Sequence, residues 1–400
     1  MAATLCRHFN GYKPCGKVDS LKVSCSLACA SFEKAGARIL LIHLGALGAV
    51  VRSTALLPAI VRKYPGAHIT WVTDAPGDLL LREHPLVDRV IVANADGAMA
   101  LSALEFDIAL VVDKSLKASG LLRQTKAREI YGYTANPQTG GIEPATEAAR
   151  ASWRLGLSNH EKFHVNRKTE SQLIHEALEL GPWLRDNYAL FLTEEEKNEV
   201  FKRNASWSDM NRGAIIGINT GCAATIAAKK LSVAGHVELI ETLAGNFSKN
   251  SAGNSIVLLG GREDTMRNQT IASRARARGL SVIESSTDQG LRDGMISVAA
   301  CDVVVTGDSL GMHMALGFSK AVVAWFGPTC AHEIDLYGGI SVLTSSACAP
   351  CWKRSCDKAV MCYDQVDFSK MADAVEKMLA PSAELTPPLR DSRLENTRDL

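Results

Sequence analysis

Along most of the chain, short runs of β-branched and aliphatic residues alternate with segments whose apolar residues recur every three or four positions. The first alternation predicts strands over 37–42, 67–73, 89–93 and 107–113, with helices over 50–64 and 76–83. Two further helices are predicted over 169–180 and 193–203, the second opened by Thr193 with Glu196 three residues on, the pattern of a capping box. A second alternation then predicts strands over 214–219, 255–259, 280–284, 302–306, 321–326 and 341–344, and helices over 233–245, 265–278, 290–300, 309–318 and 368–379. Strands alternating with helices build parallel sheets covered on both faces, so the pattern predicts an α/β protein with two doubly wound domains. The polar stretch 132–161 shows no period, and no internal repeat relates the two halves.

The same pattern sets the expected boundaries. Residues 1–34 form a turn-rich, cysteine-bearing arm, 35–200 the first domain and 212–345 the second, with a hinge over 204–213. A cysteine-rich segment over 346–364, a helix within 365–380 and a tail over 381–400 follow. The tail is rich in Pro, Ser and charge and is expected to be disordered.

A chain of 400 residues, 46% apolar and 22% charged, fits two soluble domains of ordinary size. Its formal net charge of +1 argues against a nucleic-acid partner. The longest apolar run, 39–47, falls short of the roughly 20 residues a bilayer span needs, and the N-terminus lacks a secretory apolar core. A cytoplasmic location is therefore expected. Eleven cysteines are many for such a compartment, and eight of them fall into two groups: Cys6, Cys15, Cys25 and Cys29, then Cys348, Cys351, Cys356 and Cys362.

In doubly wound sheets, ligands bind beyond the carboxyl ends of the strands. Five loops fall there: Leu44 to Ala49; Asn219-Thr220-Gly221 running on to Lys229-Lys230; Gly260-Gly261-Arg262-Glu263-Asp264; Gly307-Asp308-Ser309; and Gly327-Pro328-Thr329. Each has an ordinary structural reading on its own. The glycines can serve close packing, the lysines can be solvated, Glu263 and Asp264 can face a helix dipole, Asp308 can cap a helix and His313 can be packed. Several polar loops on successive strand ends nevertheless point to a ligand. Leu44 to Ala49 has neither GxGxxG nor the Lys-Ser/Thr of a P-loop, which argues against both standard nucleotide fingerprints.

Taken in order, LGALGAVVRSTALLPAIVRKYPGAHITWVT, NTG followed by KK, LLGGRED, VVVTGDSLGMHMALG and WFGPT resemble glycosyltransferase family 9, the ADP-heptose:lipopolysaccharide heptosyltransferases and their relatives. The resemblance runs from about Arg38 to Thr344. It implies a GT-B fold: two facing Rossmann-like domains with parallel sheets, an interdomain cleft, and inverting transfer without a catalytic metal. By resemblance Lys229 meets the donor diphosphate and Glu263 or Asp264 lies near the ribose. Asn219, Thr220, Gly221, Lys230, Gly261, Asp308, Ser309, Gly311, Met312, His313 and Thr329 complete the implied donor site.

One position departs from the family pattern. Where LGxxGD carries the Asp expected to act as general base, this chain has Ala49. Losing a positioned base typically lowers a rate by about 10²–10⁴-fold. The chain is therefore expected to be a weakened or inactive transferase, or one whose acceptor needs no base there, or one that uses another carboxylate such as Asp113. The acceptor side is expected in the first domain, with Gly48, Arg52, Lys114, Lys117 and Arg123 meeting an anionic lipopolysaccharide-type acceptor. That acceptor would bring the protein to the cytoplasmic face of the inner membrane.

The cysteine groups resemble those of a subset of the family, the autotransporter heptosyltransferases, whose cysteine fingers hold iron. Cys348-x2-Cys351-x4-Cys356-x5-Cys362 offers four thiolates, enough for a tetrahedral structural site, and the N-terminal four are a second candidate set. Zinc, iron and an iron–sulfur cluster all accept four cysteines, and the spacing does not separate them. Two other activities stay open: a catalytically silent sugar-nucleotide-binding or assembly subunit, and a protein O-heptosyltransferase.

Overall fold

The computed structural model describes residues 5–9, 11, 15, 25–208, 213–250 and 253–380. The tail 381–400, half of the arm and part of the expected hinge lie outside the described residues. The first sheet contains β1 Arg38–Ile42, β2 His68–Thr73, β3 Arg89–Val92, β4 Glu105–Val111, β5 Lys126–Ala135 and β6 Ile142–Pro144, in the order β3-β2-β1-β4-β5-β6. The second contains β7 Ile215–Asn219, β8 Ser255–Leu259, β9 Ile283–Glu284, β10 Val303–Gly307, β11 Ala321–Phe326 and β12 Ile340–Leu343, in the order β12-β11-β10-β7-β8-β9. All neighbouring strands are parallel except β5 and β6.

In chain order the helices are α1 Leu47–Ser53, α2 Leu56–Lys63, α3 Gly77–Leu81, α4 Ala95–Ser102, α5 Leu116–Arg123, α6 Arg150–Leu155 and α7 Glu170–Ala177. They continue with α8 Glu194–Trp207, α9 Val233–Asn250, α10 Thr265–Arg276, α11 Leu291–Ala299, α12 Leu310–Gly317 and α13 Phe368–Leu379. The helix expected over 50–64 is broken into α1 and α2. At the break, the Thr54 hydroxyl donates to the Val51 carbonyl at 2.6 Å and accepts from the Ala189 amide at 2.9 Å. A side chain that bonds back to its own turn and out to a neighbouring segment competes with helix continuation. The capping box at Thr193 and Glu196 forms as the sequence predicts.

Both sheets have the same doubly wound order, and in each the connection reverses direction between the first and fourth strands in sequence. Those switch points, β1/β4 and β7/β10, open crevices at the carboxyl edge. Their strands are apolar on both faces, as Ile39, Leu40, Leu41 and Ile42 show by their complete burial. The halves pack directly on one another. Ile39, Val51 and Leu56 share one buried cluster with Met312, Leu316 and Val322, and α1 lies against α12. Two glycines set that approach: a Cβ on Gly48 would stand 2.5 Å from His313 Cδ2, and one on Gly317 2.8 Å from Leu190 Cγ. Helix α8 is tied to α11 by the ion pairs Glu196–Arg292 and Arg203–Asp293. Helix α13 buries Met371, Ala372 and Val375 in the core of the second sheet.

Candidate active site

The turn after β7 and the turn after β10 meet across the second switch point. Asn219 Nδ2 donates to Ser309 Oγ at 2.9 Å and to the Gly221 carbonyl at 2.9 Å, while the hydroxyls of Thr306 and Ser309 stand 3.0 Å apart. Gly311 is required for this approach, because a Cβ there would stand 2.7 Å from Asn219 Cγ. Lys229 Nζ then reaches Asp308 Oδ2 at 3.0 Å. Burial alone would raise the Asp308 carboxyl, but Lys229 overcomes it and holds the group below its usual range. His313 Nε2 lies 3.9 Å from Asp308 Oδ1. Burial first, and then Arg52, push the imidazole down to about 3, so it is neutral at physiological pH.

The other expected donor residues divide. Met312 is packed in the core between the halves. The Thr220 hydroxyl bonds Asn268 Oδ1 at 2.5 Å and the Leu259 carbonyl at 3.2 Å, which ties β7 to β8 and α10. Asp264 is buried, its carboxylate accepting from the Gly261 amide at 3.0 Å. Gly221 must lack a side chain beside it, since a Cβ there would overlap Asp264 Oδ2 at 1.9 Å. Glu263 is exposed. Asp264 thus braces the loop and Glu263 is the one free to meet a ligand. Thr329 is buried with no partner for its hydroxyl, and Arg52 Nε and His313 Nδ1 are likewise buried and unpartnered among the described residues. Buried polar atoms left open at a crevice mark a place where a ligand satisfies them.

On the first-half side, Arg52 of α1 is buried and pairs with Glu170 at the start of α7 at 3.1 Å. Arg52 first, then Lys114 and Lys162, outweigh burial and hold the Glu170 carboxyl below its usual range. Lys114 lies 4.7 Å over the Tyr133 ring. Lys117 and Arg123 are engaged elsewhere: Lys117 pairs with Asp74 at 2.5 Å and Arg123 donates to the Ala135 carbonyl at 3.1 Å. Asp113 accepts the Leu44 amide at 2.8 Å, so it fixes the turn that opens α1. Ala49 is half-buried on α1, next to Gly48 against His313.

The sequence reading did not single out Lys162, Glu170 or Glu333. Lys162, in the helical turn Glu161–Val165, lies 3.5 Å from Glu333 in the turn Ala331–Glu333 that follows Thr329. His332 Nε2 and the Lys162 carbonyl are 3.3 Å apart. Lys162 Nζ also stands 4.6 Å over the Trp352 ring. No motif carries these residues. The only signal was a charged residue a few positions beyond FGPT.

The cysteine segment is stitched to the same loop. The Cys351 and Trp352 amides both donate to the Pro328 carbonyl, at 3.0 and 2.8 Å, and the Thr344 hydroxyl donates to the Cys362 carbonyl at 2.6 Å. Cys362 is pushed up by burial and then by Cys351, Cys348 and Cys356, so the four thiols lie within electrostatic reach of one another. Among the described residues no three of His, Cys, Asp and Glu are arranged to hold a metal ion. Cys6, Cys15, Cys25 and Cys29 are half-buried free thiols and fall under the same finding.

Two doubly wound sheets facing across a cleft, with polar turns at both switch points, define the GT-B class of glycosyltransferase fold. The chain belongs to glycosyltransferase family 9 (heptosyltransferase), whose family model matches residues 98–361. Its fold is similar to that of a family 9 glycosyltransferase from Veillonella parvula DSM 2008 (17% identity, TM-score 0.66, 86% of this chain and 98% of that one). It is also similar to E. coli ADP-heptose lps heptosyltransferase II (18% identity, TM-score 0.59, 85% and 98%). A third similar structure is the E. coli heptosyltransferase WaaC with ADP (17% identity, TM-score 0.53, 85% and 96%). No curated protein matches the chain in sequence.

Proposed function

We propose that the protein is an inverting glycosyltransferase that moves a heptose from ADP-heptose to a hydroxyl of a lipopolysaccharide core or related anionic acceptor. The observation that carries this reading is the Lys229–Asp308 pair at the second switch point, with Thr329 left open beside it. A similar fold in the heptosyltransferase WaaC holds ADP, and another structure of it holds ADP-2-deoxy-2-fluoro heptose. In this reading Lys229 meets the diphosphate charge that develops as the bond to the sugar breaks. Glu263 accepts from the ribose, and Arg52 with Lys114 receives the acceptor's anionic groups. Transfer measured with ADP-heptose and heptose-free lipopolysaccharide tests it: ADP release that depends on the acceptor supports the reading, and ADP binding without any release sinks it.

Ala49 favours a second reading, a silent subunit that binds the sugar nucleotide without turnover, which the same assay separates. A protein acceptor in place of lipopolysaccharide tests protein O-heptosylation. Work at the cytoplasmic face of the inner membrane fits a lipid-linked acceptor; among the described residues no helix is long and apolar enough to cross a membrane.

Cys348, Cys351, Cys356 and Cys362 are proposed to hold a structural zinc, iron or iron–sulfur centre, which would draw their side chains together and stiffen the loop at Pro328. Cys348 and Cys356 are exposed and can swing in. Metal analysis of anaerobically purified protein with less than about half an equivalent of any metal overturns this proposal.

A further inference from the structure

We propose that Glu333 is the group that takes the acceptor's hydroxyl proton, the role for which residue 49 offers no carboxylate. The inference rests on the transferase reading above and deepens it. Three of the other carboxylates at the cleft are already committed, and Glu263 stands exposed on the ribose loop of the donor half. Asp113 holds the Leu44 amide, Asp308 is paired with Lys229, and Glu170 is paired with Arg52. Glu333 is different. It stands four residues after Thr329, is 5% exposed, and meets its nearest cation, Lys162, only at 3.5 Å. Because Lys162 comes from the first half, the Glu333 carboxyl is turned across the cleft toward the acceptor side.

The surroundings of Glu333 suit a base. Lys162, Arg52, Lys114 and Glu170 act on it from the first half, and the Cys330 thiol lies near it in its own turn. Burial is the largest influence and, with Glu170, pushes the carboxyl up to about 7 against the pull of Lys162 and Arg52. A base is most effective when its proton affinity lies near the working pH. The step balances simply. The Glu333 carboxylate accepts the hydroxyl proton as the acceptor oxygen bonds to the anomeric carbon. The bond from that carbon to the donor's phosphate oxygen breaks, and its electron pair leaves on ADP, where Lys229 meets the charge. Glu333 then returns the proton to solvent.

The test compares wild type, E333Q and E333D for ADP release from ADP-heptose with heptose-free lipopolysaccharide, across pH, beside ADP binding by calorimetry. E333Q is expected to lower kcat by about 10²–10⁴-fold, abolish the acidic limb of the kcat profile near neutrality and leave ADP affinity unchanged. E333D should keep part of the rate and move the limb to lower pH. An E333Q enzyme with wild-type kcat and an unchanged limb overturns the role of Glu333 and leaves the transferase reading standing. Wild-type protein that binds ADP but releases none from ADP-heptose overturns the transferase reading, and the role of Glu333 with it. If E333Q loses ADP binding through misfolding, E333D decides, and an unmoved limb overturns the proposal.

Discussion

At the scale of single residues, two carboxyls in the cleft carry opposite signs of pH dependence. Glu333 is raised from the usual 4.5 to about 7, so the folded protein holds a proton there that the unfolded chain has lost. Its contribution is fully present below pH 4.5 and is lost as pH rises toward 7. E333Q removes that penalty, so above pH 8 the variant should be more stable than wild type, by on the order of 2–3 kcal/mol at most, as measured by denaturant unfolding. Near pH 4 the two should unfold alike. Asp308 works the other way: its carboxyl is held low by Lys229, so its stabilisation is present above the unfolded value and fades as pH falls through the folded one. Lys229→Ala leaves that carboxylate buried without its cation and removes a donor for the diphosphate. ADP affinity should fall about ten- to hundredfold by calorimetry, the worth of a hydrogen bond to a charged group.

At the scale of elements, the approach of α1 to α12 depends on Gly48. Gly48→Ala would push a methyl into the ring of His313, a core side chain with nowhere to move, and should cost about 1–3 kcal/mol in chemical denaturation. No loss of stability would mean that α1 slides freely. The cysteine segment is the other element with a reach beyond itself, because two of its amides hold Pro328 next to Thr329. Replacing Cys348 and Cys351 by Ser should therefore weaken ADP binding without touching Lys229 or Asp308. Unchanged affinity would show that Pro328 is held without the finger. The elements themselves were unequally legible. The β10–α12–β11 unit stood out because both strands are apolar on both faces and the helix between them is short. Strand β5 was missed: Lys126, Arg128, Glu129 and Ile130 are all exposed, so the alternation that marks a strand is absent. The same holds for α4 and α5, whose small residues and exposed faces carry little period.

For the whole molecule, closure of the cleft rests on contacts between chain segments far apart in sequence. Arg185 pairs with Asp335 at 2.5 and 2.7 Å, the Tyr337 hydroxyl donates to the Asp186 carbonyl at 2.8 Å, and Lys162 spans to Glu333. Arg185→Ala should loosen this seam, raising the radius of gyration in solution scattering without ADP while ADP closes the cleft again. An unchanged scattering profile would show that the apolar contact of α1 with α12 holds the halves unaided.

The sequence by itself determined the two parallel sheets, the loops at their carboxyl ends, and the family. Strand period, glycine placement and contiguous motifs such as DSLGMH are local properties that a chain displays without folding. It also exposed the missing Asp at position 49. Only the tertiary structure decided which of Glu263 and Asp264 is free, because burial against Gly221 is a contact between distant loops. It alone brought Lys162, Glu170 and Glu333 together. Those residues lie on three separate turns of the chain, and the charge balance that sets the proton affinity of buried Glu333 arises only when half-buried Lys162 and Glu170 are brought near it.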